Sequence, residues 1–394
     1  MKLLVQPGDG PTPVVKGIHS AKSSIEIVIF RFDQSEIERA LAHAVKRGVF
    51  VHALIAHLNR SGEDGLRDLE MRLLAAGVNV ARTASDLARY HGKLMIVDRR
   101  ELYLLAFNFT YLDIERSRSF GVITTNARLV HEAGRLFEAD TKRLYYESGL
   151  SSLVVSPVNA RKQLSAFIKG ARKELLIYDP TISDPAMIRL LEERSKAGVE
   201  IKIIGRLTRK RPTLSVGKLS RMRLHARTMI RDGGYAFIGS QSLREEELDG
   251  RREVGIIFRD RKAVSRLVKT FQEDWEAARQ FAEQEDQDVS ARAARVARKV
   301  AKAVTKDMLP VAPVLETIIK EVAGKKTSVD LNAQEVEESV KDAIKEAVKD
   351  VVKDVVEDVV EQNEEAKAEL TGVSGNGRSR ERASAPSRDN GRGR

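Results

Sequence analysis

Hydrophobic positions along the first 283 residues alternate between two patterns. Short unbroken apolar runs such as "SSIEIVIFRFD" (23–33) and "FVHALIA" (50–56) predict strands buried on both faces. Between them, "QSEIERALAHAVKRGV" (34–49) places apolar residues at i, i+3, i+4 and i+7, which predicts an amphipathic helix ending near a glycine. The same order returns in "KELLIYDPTISD" (173–184), "PAMIRLLEERSKAGV" (185–199) and "EIKIIG" (200–205). Strand–helix–strand order predicts parallel strands joined by a right-handed crossover.

Between the halves a fixed offset emerges further on. "YHGKLMIVD" (90–98) and "LHARTMIRD" (224–232) share one layout: His, one residue, a cation, four residues, Asp. Their histidines, His91 and His225, are 134 positions apart. "FGVIT" (120–124) and "VGIIF" (254–258) keep that offset, as do "FEADT" (137–141) and "FQEDW" (271–275). An internal repeat of this size predicts an α/β fold of two pseudo-twofold-related halves, 1–150 and 151–283.

The pattern then changes. Residues 284–370 read as a helical, charged extension and 371–394 as a disordered Arg/Gly-rich tail. Six Lys/Arg against one Asp in 291–310 make a basic helix, suited to an anionic membrane surface or to packing on a partner. Thirteen Asp/Glu against five Lys in 331–370 reverse the sign. Within them "KDAIKEAVKDVVKDVVEDVV" repeats every four residues, a winding Val stripe that reads as a self-association or partner element.

Composition narrows the chemistry. There is no cysteine, so disulfides, thiolate metal sites and a cysteine nucleophile are excluded. The formal charge of +11 suits partners that carry phosphate, either nucleic acid or anionic lipid. The opening "MKLLVQPGDGPTPVVKG" is interrupted by Asp9 and prolines, and no apolar run approaches membrane-spanning length. The expectation is a cytoplasmic protein without signal peptide or transmembrane helix, peripheral at most to a membrane.

Residues i and i+2 of a strand face the same way, so His91 and Lys93 address one space, as do His225 and Arg227. Imidazole serves as nucleophile or as proton donor near neutral pH, and the neighbouring cation holds phosphate. Two such units meeting face to face put two imidazoles on opposite sides of one phosphorus. One attacks in line to give a phosphohistidine; the other protonates the leaving oxygen and then activates water or an alcohol. No cofactor and no metal are called for by this scheme.

These paired motifs resemble the phospholipase D superfamily, whose HxKxxxxD motif followed by a G-S-x-N element occurs twice in bilobal members. The resemblance covers roughly residues 15–283. It implies two α/β sandwich halves, a phosphohistidine mechanism and a phosphodiester substrate. It also assigns His91 as nucleophile and His225 as acid/base, with Lys93 and Arg227 on phosphate. Asp98 and Asp232 belong to the motifs, but backbone bracing suits them better than proton chemistry.

Departures accompany the match. The first G-S-x-N element reads "LAFN", which keeps Asn108 but puts Leu105 and Ala106 where Gly and Ser are expected. The second reads "GSQS", which keeps Gly239 and Ser240 and puts Ser242 for Asn. The acidic residue expected soon afterwards is Glu253 in the second half, whereas the first half has Ser119. Glu253 is therefore expected to fix the tautomer of His225, leaving His91 without an equivalent carboxylate. Arg227 keeps the charge of the expected lysine but is bulkier and planar.

Two readings stay open. The halves complement each other, with Lys93 and Asn108 from one and Arg227, Ser240 and Glu253 from the other around both histidines. Alternatively, the site has decayed to phosphate binding in a scaffold protein. For a working enzyme the expected substrate is phospholipid, with a metal-independent nuclease as the alternative. The basic segment "GRLTRKRPTLSVGKLSRMRLH" (205–225) is either a solvated loop or a phosphate funnel at the mouth of the site. His19, His43, His52, His57 and His131 share no spacing and read as structural, and Trp275 reads as core.

Overall fold

The motif strands are buried on both faces because each alternates between two layers. In the first, Leu94 and Ile96 join the cluster between the two sheets, while Met95 and Val97 face the outer helices. In the second, Ile230 faces inward and Met229 outward. That alternation explains why both segments read as unbroken apolar runs.

The computed structural model describes residues 1–57, 64–209, 211–219 and 221–306, the side chains of 64, 65 and 285–306 excepted. The first half contributes β1 (Lys2–Gln6), β2 (Ser24–Ile29), β3 (Phe50–Ile55), β4 (Asn79–Arg82), β5 (Arg89–Tyr90), β6 (Leu94–Val97), β7 (Glu101–Leu105) and β8 (Ser117–Thr124). The second contributes β9 (Leu153–Val155), β10 (Glu174–Ile182), β11 (Glu200–Leu207), β12 (Ser215–Gly217), β13 (Arg223–Leu224), β14 (Thr228–Arg231), β15 (Tyr235–Gly239), β16 (Arg251–Arg252) and β17 (Val254–Phe258).

One sheet runs β1-β8-β7-β6-β2-β3-β4, and the other β9-β17-β15-β14-β10-β11-β12. The two orders are the same order, so the sequence repeat is a repeat of topology. As the strand–helix–strand pattern requires, β2 and β3 are parallel, and so are β10 and β11. The motif strands β6 and β14 run antiparallel to β2 and β10.

Helices α1 (Thr12–Ser20), α2 (Ser35–Lys46) and α3 (Asp64–Ala75) cover the outer face of the first sheet through Val14, Ile18, Ile37, Leu41, Leu66 and Leu69. A short α4 (Tyr111–Glu115) precedes β8, and α5 (Ala127–Lys142) follows it. The second sheet is covered by α6 (Ala160–Lys169) and α7 (Pro185–Lys196) through Leu164, Phe167, Met187 and Leu191. The side chain of Asp184 caps α7, accepting from Met187 N at 2.9 Å. Both α5 and α8 (Arg261–Lys306) add apolar side chains to the cluster between the sheets, among them Phe137 and Phe271. Trp275 packs against that cluster with its ring stacked on Phe271.

Met1–Ala282 form one compact unit that holds both halves; the chain from Glu283 onward belongs to another. The basic segment after residue 290 is helical as far as Lys306, within α8. The acidic Val-rich repeat and the Arg/Gly tail, with the partner contacts expected of them, lie outside the described residues. Among the described residues no helix is long and apolar enough to cross a membrane.

Candidate active site

Two short strand pairs decide where the histidines go. Strand β5, just before His91, pairs with β16 of the second half. Strand β13, just before His225, pairs with β8 of the first half. Each histidine is thus carried across to the other half: His91 N donates to Arg252 O at 2.7 Å, and His225 N donates to Arg118 O at 3.0 Å. Both rings line one cavity of about 410 Å³, the largest part of whose charged lining is arginine: Arg31, Arg89, Arg223, Arg227, Arg244 and Arg251.

The halves do not treat their histidines alike. His91 Nδ1 meets both carboxylate oxygens of Glu253, at 2.9 and 3.0 Å. A carboxylate acceptor there assigns the proton to Nδ1 and leaves the lone pair on Nε2. The expected partnership of Glu253 with His225 is therefore overturned. Because β5 and β13, the short strands just before the two histidines, pair across the halves, the second-half carboxylate reaches the first-half histidine. His225 Nδ1 instead faces Asp113 Oδ2 at 3.5 Å, too far for a hydrogen bond, and has no other partner among the described residues.

Asp113 occupies the neighbourhood of the carboxylate missing at Ser119. It accepts from Asn108 N at 2.9 Å and Asn108 Nδ2 at 2.6 Å, and from Arg223 at 2.6 Å. Ser119 donates its hydroxyl to the Asp113 carbonyl. The repeat supplies the counterpart, Glu247, which accepts from Ser242 N at 2.7 Å. Asp113 and Glu247 are 134 positions apart, as are Asn108 and Ser242. Asn and Ser at the end of the two elements thus do one job, presenting a backbone N–H to a carboxylate five residues on.

The electrostatics follow from burial. Desolvation, reinforced by the Lys93 and Arg227 charges, holds His91 well below the usual histidine range. His225 is depressed by desolvation and then by Arg227. Both rings are neutral before substrate enters. Burial also pulls the Lys93 ammonium down, to about 7, against the attraction of Glu253. Burial works against the charged form of Asp113, but the neighbouring His225 ring and then the hydrogen bonds from Asn108 and Arg223 outweigh it and hold the carboxyl below its usual range.

A model of the family described as "Cardiolipin synthase, PLD-like domain" matches residues 14–141 and 164–275, more than half of the chain and both halves of the repeat. The chain belongs to the phospholipase D-like family. Polyphosphate kinase 1 of Chlorobaculum tepidum is 30% identical over 225 residues, 52% of this chain and 32% of that protein. The chain spans between 32% and 40% of the length of the first curated relatives it matches. Two solved structures share the fold. Polyphosphate kinase from Porphyromonas gingivalis superposes with a TM-score of 0.59 at 21% identity, over 69% of this chain and 49% of that one. Phosphatidylserine synthase of Haemophilus influenzae Rd KW20 gives 0.55 at 12% identity, over 70% and 86%.

Of the residues singled out in sequence, His91, Asn108, His225 and Arg227 line the cavity of this phospholipase D-like protein. Lys93, Ser240 and Glu253 are buried and do not border it. Lys93 Nζ donates to the His91 carbonyl at 2.7 Å and lies over the Phe30 ring, and Arg227 Nη1 donates to the His225 carbonyl at 3.0 Å. Ser240 Oγ accepts from Val254 N at 3.0 Å, beside Glu253.

Asp98 and Asp232 are not part of the cavity. Each sits at the turn that follows its motif strand with φ near +50°, a conformation Asp tolerates better than most residues. Asp98 accepts from the backbone N–H groups of Lys22, Ser23 and Ser24, and Asp232 from those of Arg172, Lys173 and Glu174. They tie the hairpin to the start of the neighbouring antiparallel strand, β2 in one half and β10 in the other.

Of the basic segment 205–225, Arg223 and His225 line the cavity, while Arg206 donates to Thr181 and Arg211 pairs with Glu192. Residues missed in sequence are Asp113, Glu247, Arg31, Arg89, Arg244 and Arg251. Asp113 with Glu247 and Arg89 with Arg223 carry the offset of 134, which was the signal that could have found them.

Proposed function

We propose that the chain breaks a P–O bond of a phosphodiester by double displacement. The observation that carries this is the convergence of two histidines from different halves on one arginine-lined cavity. The neutral His91 Nε2 attacks phosphorus, and the P–O bond to the leaving group breaks. His225 protonates that oxygen; an anionic substrate favours its imidazolium as it enters. The now neutral His225 takes a proton from water or an alcohol, whose oxygen attacks phosphorus and frees His91. Arg227, in the lining, stabilises the charge spread over the non-bridging oxygens, and the buried Lys93 charge, felt at both histidines, adds to that field.

For the substrate, six arginines in the lining favour a polyanion, and a single-stranded nucleic acid fits that best. Such lining is unlike an apolar channel for acyl chains. Phospholipid is the second reading. Tyr111 and Leu112 on α4 are 52% and 48% exposed, and Leu112 borders the cavity, where they offer an apolar rim to a bilayer surface.

A panel of single-stranded oligonucleotide, inorganic polyphosphate and anionic phospholipid vesicles, each with wild type and His91→Ala, tests the proposal. The expected outcome is oligonucleotide turnover at least about tenfold above the others, lost in the variant. Preferred turnover of vesicles would move the assignment to lipid. Activity unchanged in His91→Ala would end the two-histidine mechanism.

A further inference from the structure

The carbonyls that receive the two histidine N–H groups belong to arginines in equivalent places, Arg118 and Arg252, 134 positions apart. Arg118 closes a fork on Asp274 of α8, with Nε to Oδ2 at 2.7 Å and Nη2 to Oδ1 at 2.9 Å. Its third nitrogen donates to the Gln6 carbonyl at 2.9 Å. Arg252 makes the equivalent pair through a single bond to its carboxylate: Nε to Asp140 Oδ1 at 3.1 Å, with Nη1 to the Ser156 carbonyl at 3.1 Å. Asp140 and Asp274 are again 134 apart. Tyr178 donates to Asp274 at 2.7 Å, and the Arg252 guanidinium lies over the Tyr90 ring. All four charged side chains are almost fully buried, and none borders the cavity.

Each pair therefore joins a helix of one half to a strand of the other, directly beneath a histidine. A buried ion pair is weak evidence for stability, because desolvation offsets its attraction. Two of them in equivalent places, each anchoring the residue that holds a histidine backbone, point to geometry instead. A displacement of about 1 Å at a reacting group costs about 100-fold in rate.

We propose that these clamps are positioning elements with separate charges: Arg252–Asp140 sets His91, and Arg118–Asp274 sets His225. The kinetic half of this inference rests on the two-histidine reading; the geometric half does not.

The test uses the full chain labelled with 15N-histidine, with the His91 and His225 signals assigned from His91→Gln and His225→Gln. Asp140→Asn is expected to move the His91 ring and amide signals and spare those of His225; Asp274→Asn is expected to do the reverse. In kinetics, Asp140→Asn should lose about 100-fold on a phosphodiester with either an alkyl or a p-nitrophenyl leaving group. Asp274→Asn should lose about as much with the alkyl group but only about threefold in first-turnover release of p-nitrophenolate, which departs without a proton. If either variant fails to fold, Arg252→Lys and Arg118→Lys keep the charge without the planar guanidinium that bonds both carboxylate and carbonyl, and are read the same way. Signals that move together in both variants, or in neither, overturn the proposal. Should the wild type turn over neither ester, the two-histidine reading fails while the spectra still decide the clamps.

Discussion

The two halves are equivalent in topology and different in chemistry. Around His91 the carboxylate of Glu253 makes a short hydrogen bond to Nδ1, whereas around His225 the nearest carboxylate, Asp113, stands 3.5 Å away and is held by Asn108 and Arg223. A duplicated scaffold has thus kept its backbone geometry while its two imidazoles diverged. The oriented ring suits a nucleophile that must present one nitrogen along a fixed line. The looser ring, with an unpartnered Nδ1, suits a group that gains and loses a proton within the cycle.

The comparison breaks first at the histidines. His91→Ala should lower turnover by about 10⁴-fold or more, measured by single-turnover product formation, because it removes the covalent step. His225→Ala should cost as much on an alkyl ester and, with a p-nitrophenyl ester, recover most of the rate of first-turnover p-nitrophenolate release but not of the second step, which still needs its base. Next in size come the carboxylates. Glu253→Gln should cost about 10²–10³-fold, and Asp113→Asn about tenfold or less, since only Glu253 makes the hydrogen bond. Equal losses would remove the asymmetry.

A third prediction concerns pH. With His91 depressed by burial and Lys93 pulled down by burial to about 7, kcat/KM should fall as pH rises through about 7, where Lys93 loses the buried charge that favours an anion in the cavity. Lys93→Arg should carry that falling limb above pH 9 or so, since guanidinium does not titrate there. A pH profile unchanged by the substitution would take Lys93 out of phosphate binding.

The smallest effect is expected at the motif aspartates. Asp98→Ala and Asp232→Ala should each lower stability by roughly 1–2 kcal/mol in urea unfolding, with the chemical step little changed. Backbone hydrogen bonds bring Asp98 to about 2 although burial opposes the charge, so its contribution is present above pH 4 or so. It is lost as the carboxyl protonates on the way down to about 2. The variant should accordingly lose the acid-side dependence that the wild type shows.

Much of this was legible in the chain. Apolar periodicity and the offset of 134 identify the two halves, the motif strands and both histidines, because burial on both faces and duplication leave local signatures. The pairing of Glu253 was not legible. Spacing within one half assigns it to the nearer histidine, and only the strand pairs β5–β16 and β13–β8 show that the histidines change sides. Asp113 escaped for a related reason, since the carboxylate is expected at position 119 and arrives instead from α4, presented by Asn108. Of the arginines in the lining only Arg227 belongs to a motif; the others come together only through folding.

Convergence on a single phosphorus through a covalent intermediate is tested most directly by stereochemistry. A substrate made chiral at phosphorus with sulfur and oxygen isotopes would be turned over by the wild type and its product configuration read by 31P NMR. Two successive in-line displacements, first by His91 and then by the acceptor, predict retention. Inversion would mean one displacement and no phosphohistidine, and would contradict the account.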